Sequence, residues 1–135
     1  MACPYFRPET PIADWPFPPR APLGQPYDGI CSAAGSRPPA STVRECCNFG
    51  YVRGRCPSFP EDARADAHRF TAWESNGGLR VVWVVERDYQ PVEYGEFEWR
   101  PDADPPRGAA PVEILIQGCA FARWAWRRAR DEARR

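Results

Sequence analysis

Proline is concentrated in the first half of this chain and sets the strongest limit on its fold. Residues 1–60 contain 12 of the 17 prolines, and eight of these fall within the first 26 positions. Proline lacks a backbone N–H and fixes φ, so a helix cannot form where it recurs every few residues. Aromatic residues are frequent in the same stretch, whereas disordered segments are poor in them. We therefore predict an extended, proline-stiffened strap that packs on the rest of the protein.

The 135 residues are enough for one domain. We divide it into a Pro/Cys-rich half, residues 1–60, and a second half, residues 61–135. The first half has few periodic apolar residues and is too short to bury a core of its own. Both halves are therefore expected to share one core, in a single domain over 1–135.

Two short helices are predicted between the strap and the second half. Thr42 and Glu45 form a capping box, which predicts a helix start at Thr42. This helix would end near Cys47, with Asn48 or Gly50 supplying a residue of positive φ. A second short helix is predicted over residues 61–67, after a proline.

The second half contains strand patterns followed by one helix pattern. A strand is predicted from about residue 69, a hairpin turn at 76–78, a central strand over 79–86 and an edge strand over 92–99. Residues from about 111 onward follow helical spacing, with Val112, Leu115 and Ile116 on the apolar face. We predict an α+β fold: a small antiparallel sheet of about three strands with a C-terminal helix.

Charge and hydropathy exclude several classes of protein. The formal net charge is zero, which argues against a whole-protein electrostatic surface for nucleic acid. There is no run of apolar residues long enough for a membrane span, so no membrane association is expected. The early prolines would interrupt the apolar core of a signal peptide. We therefore expect a cytoplasmic protein, whose thiols stay reduced.

Six cysteines in a reducing compartment are unusual, and metal binding is the usual reason for them. Five of them fall within the first 60 residues. Two alternatives to metal binding stay open: buried cysteines that act as small apolar side chains, and disulfides in an exported protein. Metal binding is the hypothesis that we develop.

Four thiolates satisfy either a tetrahedral zinc ion or a cubane iron–sulfur cluster. Cys46 and Cys47 are adjacent, about 100° apart around a helix, so only one of them is expected to face a metal. We choose Cys47, which directly precedes the loop to Cys56. The predicted ligands are Cys3, Cys31, Cys47 and Cys56.

The spacing of these cysteines favours an iron–sulfur cluster over zinc. Zinc sites usually contain cysteine pairs separated by two to four residues, whereas the intervals here are 27, 15 and 8 residues. Gly50 and Gly54 would let backbone N–H groups approach cluster sulfurs, and Phe49 and Tyr51 would help to keep the site dry. We predict these four as cofactor-binding residues around a 4Fe-4S cluster, with zinc as the alternative.

Several motifs resemble a family of short, cysteine-rich bacterial proteins of uncharacterised function. They are Cys-Pro-Tyr-Phe at 3–6, Gly-x-Cys at 29–31 and Cys-Asn-Phe-Gly-Tyr-x-Arg-Gly-x-Cys-x-x-Phe-Pro at 47–60. One buried cubane in an aromatic pocket is also similar to high-potential iron–sulfur proteins and to small subunits of glycyl-radical enzymes. The resemblance implies a metal site.

The remaining candidates are weaker. No phosphate-binding loop, nucleophile elbow or zinc-protease motif occurs, so enzyme activity has little support. Cys119 is expected in the core, His68 in solvent, and Glu96 and Glu98 on an exposed acidic face. Residues 123–135 carry six arginines, which could bind nucleic acid but are better explained as a solvated helix end.

The function predicted from sequence is therefore a small 4Fe-4S protein. It would transfer electrons to a protein partner or serve as an accessory subunit in a larger redox complex. The alternative is a zinc-stabilised module that binds a protein, or a nucleic acid through the arginine-rich helix.

Overall fold

Two antiparallel sheets, a short helix and a long helix form the α+β fold predicted from the sequence. The computed structural model describes residues 1–13, 23–106 and 110–134. In chain order the elements are β1 (Phe6–Pro11), β2 (Tyr27–Cys31), α1 (Ala40–Thr42) with a π-helical turn (Val43–Cys47), β3 (Ala67–Ser75), β4 (Gly78–Arg87), β5 (Gln90–Trp99) and α2 (Val112–Ala133). Strands β1 and β2 pair in the smaller sheet, and the larger sheet has the order β3-β4-β5.

The three-stranded sheet matches its prediction closely. Strand β4 is central, and its alternate residues Val81, Trp83 and Val85 are buried. Asn76 and Gly77 both have positive φ, of 49° and 77°, as a two-residue hairpin loop requires. The apolar alternation and the turn residues thus agree on one register.

Helix α2 packs against this sheet at a point where only glycine fits. A Cβ on Gly118 would lie 2.7 Å from Cζ of Phe97. The predicted apolar face of the helix is wrong at one position, because Val112 is 57% exposed while Ile114 is buried. The helix is rotated so that Ile114 and Gly118, rather than Val112, face the core.

The strap forms a strand pair that the sequence did not predict. Phe6–Pro11 and Tyr27–Cys31 are antiparallel, with an irregularity between Pro8 and Thr10. Proline is tolerated here because both strands of a two-stranded sheet are edges. The part of the strap over 14–22 lies outside the described residues.

The first short helix begins earlier than predicted. It starts at Ala40 with Pro39 as N-cap, and no side chain caps it. The capping box is therefore wrong: Thr42 is already helical, since the N–H of Val43 bonds to the carbonyl of Pro39 at 3.1 Å. Gly50 supplies the positive φ after the π-turn, at 74°, whereas Asn48 has φ −86°.

The second short helix, predicted over 61–67, is absent from the described structure. Its carbonyl groups are taken by a side chain instead. The Arg53 guanidinium donates hydrogen bonds to the carbonyl oxygens of Glu61 at 2.8 Å and Ala63 at 2.7 Å. Ala67 then begins β3, so the segment connects the π-turn region to the sheet.

Within the residues that the structure describes, no helix has both the length and the apolar character needed to cross a membrane.

Candidate functional site

Five cysteines from four separate parts of the chain line one cavity, which we call the cysteine cavity. Its volume is about 280 Å³. Cys3 precedes β1, Cys31 ends β2, Cys46 and Cys47 lie in the π-turn, and Cys56 lies in the loop that follows. The four predicted ligands are therefore brought together, and all six cysteines of the chain are free thiols.

Backbone hydrogen bonds hold these segments side by side. The N–H of Cys3 bonds to the carbonyl of Cys47 at 3.2 Å, which joins the N-terminus to the π-turn. The N–H of Cys31 bonds to the carbonyl of Ser36 at 2.9 Å, so the chain turns back on itself at this corner of the cavity. The Sγ atom of Cys31 accepts a hydrogen bond from the N–H of Ala34 at 3.4 Å.

A buried amide ties the π-turn to β2. Asn48 is 1% exposed; its Nδ2 donates to the carbonyl oxygens of Tyr27 at 2.9 Å and Val43 at 3.2 Å, and its Oδ1 accepts from the N–H of Tyr27 at 3.0 Å. Because Asn48 directly follows Cys47, these bonds fix the position of that cysteine relative to Cys31. Sequence reasoning assigned Asn48 only a possible role in ending the helix.

Both members of the adjacent pair face the cavity. We expected only one to do so, and this expectation is wrong, since Cys46 and Cys47 both line it. The backbone here is a π-turn rather than a regular α-helix, which changes the angle between neighbouring side chains. The side chain of Cys46 is also within hydrogen-bonding range of Cys56. The cavity thus holds one more thiol than four-fold ligation requires.

Burial keeps the deeper thiols protonated. Loss of solvation raises the pKa of Cys3 and of Cys47 from 9.0 to about 12, and the neighbouring cysteines raise it further. Burial also raises the pKa of Cys46. Thiols in this state are poorly reactive, because the thiolate is the nucleophile and the metal ligand. Any metal that binds here must displace protons from them.

The apolar wall of the cavity comes partly from residues the sequence pointed to. Tyr5, Phe6 and Phe59 line it with Val52, and the rings of Tyr5 and Phe59 meet edge to face at 5.6 Å. An aromatic enclosure was predicted around the cysteines, and these three rings provide it.

The predicted cofactor-binding residues Phe49, Gly50, Tyr51 and Gly54 are not among the residues that line the cavity. A Cβ on Gly50 would lie 2.8 Å from the Cβ of Ala67, so this glycine lets the loop approach β3. Tyr51 turns toward the sheet, where its ring stacks on Tyr89 with centroids 4.2 Å apart. Its hydroxyl donates to Glu86 Oε1 at 2.6 Å.

The thiols surround the cavity without closing on one point. Among the described residues, no group of three or more His, Cys, Asp or Glu side chains is arranged to hold a single metal ion. The arrangement is a ring of thiols with space between them.

Other candidates from the sequence have structural surroundings. Cys119 is 1% exposed and lies in the core, as predicted. Glu96 and Glu98 are exposed as predicted, and both pair with Arg80 at 2.7 and 2.6 Å. His68 was expected in solvent, which is wrong: it is 6% exposed, because the N-terminus covers it by pairing Ala2 with it.

The arginines near the end of α2 are engaged with neighbouring side chains. Arg130 pairs with Glu74 at 2.6 Å, and its guanidinium lies 3.6 Å from the centre of the Trp126 ring. Arg128 pairs with Glu132 at 3.1 Å, one helical turn away. These contacts support the interpretation of this segment as a solvated helix end.

Sequence reasoning missed Gln117, a fully buried polar side chain in α2. Its Nε2 donates to the carbonyl oxygens of Cys3 at 2.8 Å and Phe6 at 2.7 Å, and its Oε1 lies 2.9 Å from Nδ1 of His68. The available signal was a glutamine between Ile114 and Gly118 on a face that is otherwise apolar. Gln117 links the helix to the segment that carries Cys3.

Comparison of the chain with models of protein families, with curated proteins and with solved structures found no match.

Proposed function

We propose that the cysteine cavity holds a 4Fe-4S cluster and that the protein carries electrons, alone or as an accessory subunit of a redox enzyme. The observation that supports this most is the convergence of five thiols from four distant segments on one cavity of about 280 Å³. Cysteines that only fill a core have no reason to meet at a cavity, whereas four thiolates around a space are what a cubane requires.

The spread of the thiols favours a cluster over a single zinc ion. With Zn–S bonds of about 2.3 Å in a tetrahedron, the sulfurs around one zinc ion lie roughly 3.8 Å apart. No three such ligands are grouped this way among the described residues. A cubane places its four irons at separate corners, so each thiolate binds its own iron and the sulfurs stay further apart. The intervals between the cysteines along the chain favour the same choice.

We assign Cys3, Cys31, Cys47 and Cys56 as ligands. The cluster supplies one-electron redox chemistry when bound. The chain keeps water away from it with the rings of Tyr5, Phe6 and Phe59, which line the same cavity. Exclusion of water is one of the ways in which a protein sets a cluster's potential.

The rim of the cavity suits a protein redox partner. Its exposed residues include Ala33, Ala34, Ser36, Pro57 and Ser58, all with small side chains. Without bulky side chains at the rim, another protein surface can approach the cavity closely. We place the protein in the cytoplasm, where a reducing environment keeps thiols free, and its six free cysteines support this location.

The first experiment is anaerobic purification of the full chain after expression with added iron and sulfide, followed by metal and sulfide analysis. We expect a brown protein with broad absorbance near ~400 nm and four irons and four sulfides per chain, the content of one cubane. A colourless protein with one zinc per chain would replace this proposal by a zinc-stabilised interaction module. Protein without metal under these conditions would mean that the cysteines are core residues only.

A cysteine panel then tests the ligand assignment. Cys47→Ser should abolish cluster incorporation, whereas Cys46→Ser should leave most of it in place. Cys119→Ala is the matched control, because this thiol is buried outside the cavity. Equal losses from the changes at 46 and 47 would contradict the choice between the two adjacent cysteines.

A further inference from the structure

A second and more open cavity, of about 840 Å³, lies beside the cysteine cavity. We call it the histidine groove; the residues around it that matter here are Tyr5, Arg64, His68, Arg87, Glu93 and Glu113. Tyr5 and Ala33 line both cavities, so the two share a wall. The groove has its own polar groups and needs no metal in the cysteine cavity.

The tautomer of His68 is determined by Gln117. Both hydrogens of the Gln117 amide are used, in bonds to the carbonyl oxygens of Cys3 and Phe6. Its oxygen must therefore be the atom that faces Nδ1 of His68, at 2.9 Å. An amide oxygen only accepts hydrogen bonds, so Nδ1 carries the proton and Nε2 of the neutral ring carries a lone pair.

That lone pair faces the groove. His68 is 94% buried, given its exposed fraction of 6%, and burial lowers its pKa, which favours the neutral ring. Among the described residues, the fully buried side-chain nitrogens that lack a partner are Nε1 of Trp83 and Nε1 of Trp99. Nε2 of His68 is therefore not sealed in the core, and the groove that His68 lines gives it access to a ligand. It is a hydrogen-bond acceptor held in a fixed direction.

The charges around the groove favour an anionic ligand. Three arginines and two glutamates line it. Arg7 is neutralised by Glu113 at 2.6 Å. Arg64 forms no ion pair with any described residue, and Arg87 pairs only with its neighbour Asp88 at 3.9 Å, in the same part of the structure. Two guanidinium groups thus remain for a ligand, against the single carboxylate of Glu93.

We propose that the histidine groove binds a small hydroxylated dicarboxylate, whose carboxylates pair with Arg64 and Arg87 and whose hydroxyl donates a hydrogen bond to Nε2 of His68. Guanidinium groups match carboxylates in shape and charge. A hydroxyl group is the part of such a ligand that can donate to a neutral imidazole nitrogen. The groove is large enough for a molecule of this size.

The test compares L-malate with succinate, which differ by one hydroxyl group, on the full chain without an affinity tag. His68 is the only histidine in the sequence, so its ring signals in nitrogen-15 NMR need no assignment. We expect the free protein to show the Nδ1-protonated tautomer, and malate to shift the Nε2 signal where succinate does not. Malate should bind about three- to tenfold more tightly, the effect of one added neutral hydrogen bond.

Two variants separate the parts of the site. His68→Asn keeps an amide that can donate to Gln117 but has no atom at the position of Nε2, so it should bind malate and succinate equally. Arg64→Gln should weaken both ligands together. Arg80→Gln is the control, since this arginine pairs with Glu96 and Glu98 outside the groove, and it should change neither affinity.

Three results would overturn the proposal: no binding of either ligand to the unmodified chain, equal affinity for both, or a malate preference that survives His68→Asn. If the His68→Asn protein does not fold, the Nε2 signal of the unmodified chain decides. A shift with malate alone supports the site, and no shift with malate contradicts it.

Discussion

Replacing Gln117 by leucine should separate the N-terminal segment from α2 with little change in packing volume. Gln117 is 0% exposed and forms three hydrogen bonds, to the carbonyl oxygens of Cys3 and Phe6 and to Nδ1 of His68. Leucine has a similar size, so the change removes the polar partner without opening a large cavity. Its effect on stability therefore comes mainly from buried groups that lose a hydrogen bond.

The three groups do not lose equally. The carbonyl of Cys3 keeps a second bond, from the N–H of Phe6 at 3.1 Å. The carbonyl of Phe6 and Nδ1–H of His68 lose the bond they make to this amide. A buried polar group without a partner costs about 1–3 kcal/mol, so the free energy of unfolding should fall by about 2–6 kcal/mol. This is a large part of the roughly 5–15 kcal/mol that stabilises a typical domain.

Urea unfolding of the metal-free protein measures this change. The midpoint should fall strongly in Gln117→Leu while the slope with urea stays the same, since the surface exposed on unfolding is unchanged. Gln90→Leu, at an exposed position on β5, is the matched control and should change stability by less than about 0.5 kcal/mol. A loss below about 1 kcal/mol in Gln117→Leu would refute the reasoning.

Three further changes have expected outcomes. Gly118→Ala should lower the thermal midpoint by the equivalent of about 1–3 kcal/mol, because its Cβ would overlap the ring of Phe97; an unchanged midpoint would show that the helix moves away without cost. Metal-free protein should lose stability as the pH rises from about 9 toward 12, because burial raises the pKa of Cys3 and Cys47 from 9.0 to about 12 and unfolding then releases their protons; urea midpoints at about pH 8 and pH 10 check the sign. Arg130→Gln should reduce stability by no more than about 1 kcal/mol, as expected of an exposed ion pair, and should leave cluster content unchanged in the iron and sulfide assay.

Sequence reasoning succeeded where the signal is local. The turn at Asn76 and Gly77 needs positive φ, and the apolar residues of β4 repeat at a spacing that identifies a central strand. Both features are set by neighbours along the chain. The three-stranded sheet and its register follow from them directly.

The failures share a different cause, which is contact between distant segments. Asp66 Oδ1 receives the Arg53 side chain and its Oδ2 receives the N–H of Asp88, and Arg53 also takes carbonyl groups that a helix over 61–67 would need. His68 is covered because Ala2 pairs with it from the far end of the chain. Neither event leaves a trace in the spacing of nearby residues.

The cysteine site was predicted in part for the same reason. The concentration of cysteines in the first 60 residues was visible, and the cavity brings five of them together. The facing of Cys46 was not visible, since a π-turn cannot be told from an α-helix by composition. The positions of Gly50 and Tyr51 were not visible either, because their contacts are with Ala67 and Tyr89 on the sheet.

The bond from Gln117 to the carbonyl of Cys3 spans 114 positions of sequence, and this sets an order of events during synthesis. Ribosomes add about 5–20 residues per second, so roughly 6–23 s separate the appearance of Cys3 from that of its partner. During this interval the N-terminal segment has no helix to dock on. Completion of the cysteine cavity is therefore one of the last steps of folding, after almost the whole chain has been made.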